Sequence, residues 1–284
     1  MARTPALKPL LGAHCSTAGA YTHALECARA VRAECLQIFT HAPGRWVGRD
    51  IGEEEAAAFR QAASRYRHVL AHDIYLTNLA SPDEALRRRS IETLVEERRR
   101  CLMLGVTGLV CHMGAHLGQG VRIGLRRYAA GLREVLQRSE GVPILLESSA
   151  GQGSCLGCRF EDIAEVLEYV EGDVGVCLDT CHLFAAGYDL EEATWQEFDS
   201  LIGFDRLKAL HLNDSQKPLG SRVDRHEHIG QGCIGEEPFR RILQDGRFAG
   251  LPMVVETEND EGRGHARDLR VLKRLRLKRE DLGR

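Results

Sequence analysis

Short apolar segments recur along the chain, and six of them end on a residue type that can bind a metal ion. These six residues are His72, His112, Glu147, Asp179, His211 and Glu256. The intervals between them are 32 to 45 residues, which is room for one strand, one helix and their connections. Two earlier apolar segments, PLLGAH ending at His14 and CLQIFT ending at Thr40, bring the number of predicted strands to eight.

Helical periodicity is found between these strands. The clearest case follows Ser81-Pro82-Asp83-Glu84, which we interpret as a capping box with Pro82 at the first helical position, and it ends before Gly105. Further helices are predicted over residues 124–136, 160–170 and 239–243. Residues 268–280 predict a basic amphipathic helix, for which a closing helix with a solvated charged face is favoured over a nucleic-acid contact.

Eight βα units predict an α/β fold, namely an eight-stranded parallel (β/α)8 TIM barrel. A length of 284 residues fits one such barrel, and no linker rich in Pro, Gly or Ser divides the chain. We therefore expect a single domain over residues 1–284. The carboxyl ends of barrel strands converge on one face, so the six strand-end residues are expected to point into one pocket.

Composition and charge exclude few classes of protein or partner. A hydrophobic content of 43% with 28% charged residues is ordinary for a soluble globular protein. The net charge of −3 gives no sign of a polyanionic partner, but bound metal ions and local arginines can make a cleft positive on such a protein. We find no secretory signal and no membrane span, so we expect a cytoplasmic protein with reduced cysteines and no membrane partner.

Among the ten cysteines, Cys155-Leu-Gly-Cys158 forms a lone CxxC motif. A redox or zinc role is one reading of such a motif. A second pair is missing, however, so an ordinary structural role is favoured.

Two loops add further residues of metal-ligand type. His182 follows Asp179 by three residues and is expected in the loop beyond the strand. Asp224 and His226 stand two residues apart in an expected extended loop, which points both side chains to the same side. His228 is next in this alternation and competes as a ligand.

The number of candidate ligands exceeds the need of one ion. The nine candidates are His72, His112, Glu147, Asp179, His182, His211, Asp224, His226 and Glu256. One strand-end histidine is more often a hydrogen-bonded rim residue, but buried carboxylates are costly unless they are paired or metal-bound. Zinc takes three or four protein ligands, so nine groups indicate two or three ions, although the residue types also fit manganese or iron. Paired metal ions are suited to phosphoester hydrolysis, so the residues predict a multinuclear hydrolase.

Segments throughout the chain resemble the endonuclease IV family of apurinic/apyrimidinic DNA endonucleases. The matching segments are GAHCSTAG, HDIYLTNLASP, HMGAH, LLESSAGQGSCLG, GVCLDTCHLFAAGYDL, HLNDSQKPLGSRVDRHEHIGQGCIG and VVETEN. The resemblance implies a barrel with three Zn²⁺ ions per chain that acts on damaged double-stranded DNA, and we expect a monomer. In base excision repair this family hydrolyses the phosphodiester 5′ to an abasic site, leaving a 3′-hydroxyl and a 5′-deoxyribose phosphate, and it trims blocked 3′ ends.

The resemblance also implies roles for individual residues. The three ligand sets that it implies are His72, His112 and Glu147; Glu147, Asp179, His211 and Glu256; and His182, Asp224 and His226. Glu147 and Glu256 take the catalytic roles. Glu147 would bridge two ions, and Glu256 would orient or deprotonate the hydroxide that attacks the phosphorus.

Four residues are expected to contact DNA. Tyr75 and Leu76 match a pair that family members insert into the base stack. The family usually carries an inserting Arg two residues before Trp in the loop after the second strand. Here Gly44 takes that place and Arg45 directly precedes Trp46, so Arg45 can replace the inserting Arg only through a shift of the loop.

Two other functions remain open from the sequence. A sugar isomerase or epimerase of similar architecture would hold one ion with Glu147, Asp179, His211 and Glu256 and would not need the other five ligands. A catalytically silent protein that binds damaged DNA would have lost ligands. All nine are present, which favours the nuclease.

Overall fold

The computed structural model of the protein describes residues 7–259 and 263–277. The strands in this part of the chain are β1 (Leu10–His14), β2 (Cys35–Phe39), β3 (Val69–His72), β4 (Gly108–His112), β5 (Ile144–Glu147), β6 (Val174–Asp179), β7 (Leu207–His211), β8 (Asp214–Ser215), β9 (His226–Glu227) and β10 (Pro252–Val255). All except β8 and β9 form a closed barrel of parallel strands in the ring order β1-β2-β3-β4-β5-β6-β7-β10. The predicted (β/α)8 barrel is therefore confirmed.

Helices fill the intervals between the barrel strands. In the described residues they are α1 (Tyr21–Ala30), α2 (Glu53–Ala63), α3 (Glu84–Leu104), α4 (Val121–Arg138), α5 (Phe160–Tyr169), α6 (Thr180–Ala186), α7 (Glu192–Leu201), α8 (Glu236–Gln244) and α9 (Arg263–Arg276). Short 3₁₀ turns at Phe204–Arg206 and Gly246–Phe248 precede β7 and β10. None of these helices has the length and apolar character that crossing a bilayer requires. Of the predicted C-terminal helix, residues 278–280 lie outside the described residues.

The barrel interior is filled by one apolar layer to which the strands contribute in turn. Its members are Leu10, Cys35, Leu70, Val110, Leu145, Cys177, Ala209 and Val254. Side chains two residues apart on a strand point to the same side, so the next inward layer lies two residues further along each strand. That layer contains, around the ring, Gln37, His72, His112, Glu147, Asp179, His211 and Glu256. The apolar layer is the floor of a polar mouth.

A bulge aligns two members of the mouth. Strand β7 carries one extra residue, Lys208, relative to β6. As a result Asp179 lies directly opposite His211. On strands β4 and β5, His112 likewise lies directly opposite Glu147. Bulges commonly re-aim side chains beside functional sites, and here the bulge brings the β6 and β7 side chains to one level.

Two local predictions were wrong. The N-cap of α3 is Asp83 and not Ser81, because its carboxylate accepts hydrogen bonds from the backbone N–H groups of Ala85 and Leu86. Pro82 thus precedes the helix instead of opening it, while Gly105 ends it as predicted, with a φ of 68°. His182 lies in helix α6 rather than in a loop, because the Asp179 carboxylate caps that helix and accepts a hydrogen bond from its backbone N–H.

Candidate metal centre

The strand-end side chains of β3, β4 and β5 form the first candidate metal group. Nε2 of His72 and Nε2 of His112 each lie 3.0 Å from Oε2 of Glu147. Nδ1 of His72 lies 2.7 Å from the carbonyl oxygen of Asp73 and therefore donates to it. The Nε2 atom of His72 is then left with its lone pair directed at the centre. These three side chains can hold one ion.

The second group lies on the other oxygen of Glu147. Oε1 of Glu147 is 2.9 Å from Nδ1 of His211, and the same nitrogen is 3.1 Å from Oε2 of Glu256 and 3.8 Å from Oδ2 of Asp179. These four residues can hold an ion. Glu147 belongs to both groups, with one oxygen in each, which is the arrangement of a bridging carboxylate.

The third group is His182, Asp224 and His226. Nε2 of His182 lies 3.2 Å and Nε2 of His226 lies 3.4 Å from an oxygen of Asp224. Both nitrogens are buried and have no hydrogen-bond partner among the described residues. Nδ1 of His182 donates to the carbonyl oxygen of Ser148 at 2.8 Å, so its Nε2 lone pair is free. Buried acceptors that converge without hydrogen bonds are what a metal site requires.

Electrostatics of the mouth favour bound cations. Burial opposes the charged form of Glu147, yet the nearby His112 and His211 hold the pKa of its carboxyl well below the usual range. Burial also opposes protonation of His182, but Asp179 and Asp224 raise the pKa of its imidazole well above the ordinary value. The carboxylates thus create a negative potential that draws protons onto the histidines or cations into the site.

Cys181 is an additional thiol beside the third group and can be grouped with Asp179 and His226. Its Sγ donates to the carbonyl oxygen of Arg225. Burial raises the pKa of the Cys181 thiol, and the charge of Asp179 raises it further. Since thiols bind metal as thiolates, this environment disfavours Cys181 as a ligand.

His228 belongs to none of the metal groups found among the described residues, although it continues the alternation of Asp224 and His226. Its Nδ1 lies 2.9 Å from Oδ2 of Asp268, a fully buried residue of α9. The second oxygen of Asp268 accepts from the backbone N–H of Ile229. His228 therefore fastens its loop to α9.

A single carboxylate holds the loop that carries Asp224 and His226. Oδ1 of Asp214 accepts hydrogen bonds from the backbone N–H groups of Ser215 and Ile234, at 2.7 and 2.9 Å. Oδ2 of the same residue accepts from the backbone N–H groups of Gly230 and Gly232, at 2.9 and 3.1 Å. A Cβ on Gly232 would lie 2.3 Å from the carbonyl oxygen of Ser215, so the backbones approach too closely there for any other residue.

Two further side chains at the mouth, Gln37 and Asn213, were not predicted from residue type. Asn213 donates to Oδ2 of Asp179 at 2.6 Å and accepts from the backbone N–H of Glu256 at 2.8 Å. Gln37 lies between Glu256 and His211. Gln37 could have been found as a polar residue inside an apolar strand, and Asn213 by its position two residues after His211.

Tyr75 stands between two cavities that flank the metal groups. One cavity of about 900 Å³ is lined by the loops after β1 and β2, by Glu256 and by His226, and Tyr75 also lines it. The second, of about 340 Å³, is lined by Tyr75, Leu76 and His112, among other residues. The ring of Tyr75 is stacked on that of His112, and the residue is 62% exposed. It is therefore an exposed aromatic wall beside the centre.

Arg45 and Trp46 lie in different environments. The guanidinium of Arg89 covers the Trp46 ring at 4.4 Å, which fixes the indole against α3. Arg45 is exposed and lines the large cavity that Tyr75 also lines. The loop that carries Arg45 contacts the loop that carries Tyr75, because the backbone N–H of Tyr75 donates to the carbonyl oxygen of Pro43. Arg45 is thus the side chain of this pair that faces the cavity.

A buried polar network supports the loop of Arg45. Glu97 of α3 accepts from the Thr40 hydroxyl at 2.6 Å and lies 2.6 Å from Nδ1 of His41. His41 in turn contacts the carbonyl oxygen of Arg45 through Nε2, at 2.9 Å. Arg100 donates to the carbonyl oxygen of Thr40 at 2.7 Å. The loop is tied to charged groups of α3.

The CxxC cysteines show no sign of a metal or redox site. Cys155 and Cys158 are half-buried, and neither forms a disulfide. Burial raises the pKa of both thiols. All ten cysteines of the chain lie within the described residues and are unpaired.

Comparison with known proteins connects this arrangement to nucleases. A sequence profile for the family described as xylose isomerase-like TIM barrel matches residues 25–275. The probable endonuclease 4 of Chloroflexus aggregans is 46% identical over 264 residues, which cover 89% of this chain and 92% of that protein. The crystal structure of endonuclease IV from Thermus thermophilus is similar with a TM-score of 0.85 at 33% identity, covering 94% of this chain and 98% of that one. A D-tagatose 3-epimerase-like protein has a TM-score of 0.71 at 18% identity and covers 93% of this chain and 96% of its own, a likeness of fold alone.

Proposed function

This chain belongs to the endonuclease IV family of xylose isomerase-like TIM barrels, and we propose that it is a zinc-dependent deoxyribonuclease of base excision repair. Its reaction is hydrolysis of the phosphodiester 5′ to an abasic site in double-stranded DNA, which leaves a 3′-hydroxyl and a 5′-deoxyribose phosphate. Trimming of blocked 3′ ends follows from the same chemistry. The observation that carries the proposal is the convergence of nine candidate ligands into three adjoining groups.

The residues present fit three zinc ions. Each group offers imidazole nitrogens and carboxylate oxygens, the ligand types that zinc accepts. The unpartnered Nε2 atoms of His182 and His226 and the negative potential around Glu147 fit bound cations better than an empty hydrogen-bonded pocket. We assign His72, His112 and Glu147 to one ion, and Glu147, Asp179, His211 and Glu256 to the second. His182, Asp224 and His226 take the third.

Zinc bound in these groups would supply Lewis acidity toward the scissile phosphate and a nucleophile at neutral pH. The chain itself supplies orientation and proton transfer. Glu256 would orient the attacking hydroxide or take its proton, because its carboxylate lies at the edge of the large cavity while its Oε1 atom is held by the amide of Gln37 at 2.6 Å. Burial opposes the charged form of Glu256, but His211 and a hydrogen bond with His14 hold the pKa of its carboxyl low, so the group is ionised and can orient the attacking hydroxide.

The surroundings of the centre fit an opened duplex. Tyr75 is exposed beside two cavities, and Leu76 lines the smaller one. An aromatic side chain in this place can fill the gap that a displaced nucleotide leaves in the base stack. Arg45 lines the large cavity together with Tyr75, whereas Trp46 in the same loop packs under Arg89. An abasic nucleotide lacks a base to unstack, so it costs the least free energy to extrude.

The rival isomerase or epimerase function needs only one metal group. Glu147, Asp179, His211 and Glu256 would suffice for it, and the third group of His182, Asp224 and His226 would then have no role. The D-tagatose 3-epimerase-like protein is 18% identical to this chain, against 33% for the endonuclease IV structure. The third group therefore favours the nuclease.

Incision of a duplex oligonucleotide with a single abasic site tests the proposal. We expect cleavage 5′ to the lesion, a 3′ end that a DNA polymerase extends, and no cleavage of the matched intact duplex. A strong chelator should abolish incision and added zinc should restore it. An enzyme that leaves the abasic duplex intact at full zinc load and instead interconverts a ketose and an aldose would refute the assignment.

A further inference from the structure

Gln37 is a fully buried amide within the ring of metal-ligand residues, and no metal group contains it. It occupies in β2 the inward position at which β3 to β7 and β10 carry a histidine or a carboxylate. A buried amide is costly unless its polar atoms are hydrogen-bonded. The hydrogen-bond partners of Gln37 therefore indicate its role.

The contacts of Gln37 fix which way its amide points. Oε1 of Glu256 lies 2.6 Å from the amide nitrogen, and an ionised carboxylate only accepts hydrogen bonds. The amide nitrogen must therefore face Glu256, and the amide oxygen must face Nε2 of His211 at 2.9 Å. Reversing the amide would set an oxygen against the carboxylate.

This orientation determines the proton position on His211. The amide oxygen only accepts, so Nε2 of His211 must carry a hydrogen. Neutral imidazole has one N–H, which leaves the lone pair on Nδ1. Nδ1 is the atom that lies 2.9 Å from Glu147 and 3.1 Å from Glu256, in the second metal group.

The second amide hydrogen of Gln37 goes to Nδ1 of His14 at 3.1 Å. One side chain thus makes three hydrogen bonds to three residues at the mouth, from strands β1, β7 and the end of β10. Each polar atom of the amide is used.

Backbone groups set the ring orientations of His72 and His182. Nδ1 of His72 and Nδ1 of His182 donate to main-chain carbonyl oxygens, and both rings offer Nε2 to the centre. His211 offers Nδ1 instead, and its opposite nitrogen is held by a side chain. Gln37 therefore does for His211 what the backbone does for the other two, and it can be changed by mutation.

We propose that Gln37 is a positioning residue of the second metal group: it selects Nδ1 of His211 as the metal-binding nitrogen and holds Glu256 by one oxygen, leaving the other for the ion and the reaction. The proposal rests on the metal assignment of the proposed function. Partners that orient ligands in this way are typically worth about 10–100-fold in metal affinity or activity. Loss of Gln37 should weaken one metal group and leave the His72 and His182 groups intact.

Two variants separate the two halves of the role. Gln37→Met has a similar volume and removes all three hydrogen bonds. Gln37→Glu keeps an acceptor for His211 but removes the donor to Glu256. Gln244→Met is the matched control, since Gln244 of α8 bonds two backbone carbonyl oxygens far from the mouth.

The first measurement is the zinc-to-protein ratio after equilibration with a graded series of chelator concentrations. Visible absorption of the cobalt-substituted proteins reports the ligand geometry independently. In Gln37→Met we expect one ion to be released at a chelator activity about 10–100-fold lower than in the wild type, while the others remain. In Gln37→Glu we expect the ion to be retained more tightly than in Gln37→Met, with incision still reduced through kcat and the KM for DNA unchanged.

Wild-type metal retention by Gln37→Met, or equal loss of all ions, would overturn the assignment to the second group. Unchanged kcat in fully loaded Gln37→Glu would overturn the part that concerns Glu256. Wild-type protein that binds its ions but does not cut abasic DNA would refute the proposed function, whereas the metal measurements still decide the role of Gln37. Gln244→Met should match the wild type throughout.

Discussion

Oδ2 of Asp224 lies 3.2 Å from Nε2 of His182, although the two residues come from a loop after β7 and from a helix after β6. This pair, with His226, is separate from the groups that share Glu147. A mononuclear sugar enzyme would have no use for it. It therefore offers a direct test of the nuclease assignment.

Asp224→Ala should release one zinc ion and abolish most incision, while the group of Glu147, Asp179, His211 and Glu256 keeps its ion. The reason is that only the third group loses a ligand, and an ion held there would be one of the Lewis acids that act on the phosphate. Elemental analysis and incision of abasic duplex check both effects. Asp205→Ala, an exposed change beside β7, is the control. Wild-type cleavage by metal-depleted Asp224→Ala would remove the third ion from the mechanism.

Glu256→Gln should lower incision by at least about a hundredfold, because general-base assistance is typically worth 10²–10⁴-fold and the amide cannot accept a proton in this role. Single-turnover incision at full zinc load is the measurement, with circular dichroism to verify folding. Glu258→Gln, two residues further and exposed, should be unaffected. A fully metallated Glu256→Gln enzyme with normal turnover would show that another group takes the proton.

Tyr75→Ala should reduce the preference for abasic over intact duplex. The exposed ring is the side chain best placed to occupy a gap in the base stack, and without it the extruded state loses that support. Competitive binding of the two duplexes at fixed salt gives the preference ratio, since phosphate contacts make each affinity depend strongly on ionic strength. Tyr169→Ala, an exposed tyrosine at the end of α5, is the control. Retention of the full ratio would point to Arg45 as the inserted side chain.

Glu97→Gln should destabilise the protein, and more so at low pH. Burial lowers the pKa of His41, but Glu97 outweighs this and raises the pKa above the ordinary 6.5. A histidine whose pKa is raised by folding contributes stability that is complete below the unfolded pKa and is lost as pH rises through the folded pKa. The cost of the mutation should thus be largest below pH 6.5, at about 3 kcal/mol, and smaller at about pH 9.

Urea unfolding of the zinc-loaded proteins at both pH values measures this difference. Glu96→Gln is the matched control on the same helix, because its exposed pair with Arg99 contributes little. A destabilisation of Glu97→Gln that is independent of pH would mean that His41 stays neutral beside the carboxylate.

The strand pattern predicted the barrel because parallel strands buried on both faces appear as short apolar segments, and their ends are marked by polar residues. These polar residues at the strand ends are six of the nine candidate ligands. Gln37 was not predicted because glutamine is not a usual metal ligand, although it follows Cys35 of the apolar layer by two residues, as His72 follows Leu70. Residue type alone therefore does not identify every side chain of the mouth, whereas the two-residue alternation along each strand does.

Other details depend on contacts that the linear pattern does not contain. Whether Ser81 or Asp83 caps α3 is decided by which side chain reaches the free N–H groups. His228 continues the alternation of Asp224 and His226, but Asp268 of α9 binds its ring from 40 residues away. The extra residue Lys208 in β7 also leaves no local signal, because a bulge is defined only by the partner strand.

Asp214 has a consequence for how the centre is assembled. Four backbone N–H groups converge on its carboxylate, so the two ends of the segment that carries Asp224 and His226 are held together by contacts that need no ion. The amide hydrogens of Gly230, Gly232 and Ile234 should exchange slowly with solvent in metal-free protein as well as in loaded protein. Little conformational entropy then remains to be lost on ion capture, and loading of the third group should be limited by the encounter with zinc rather than by ordering of the chain.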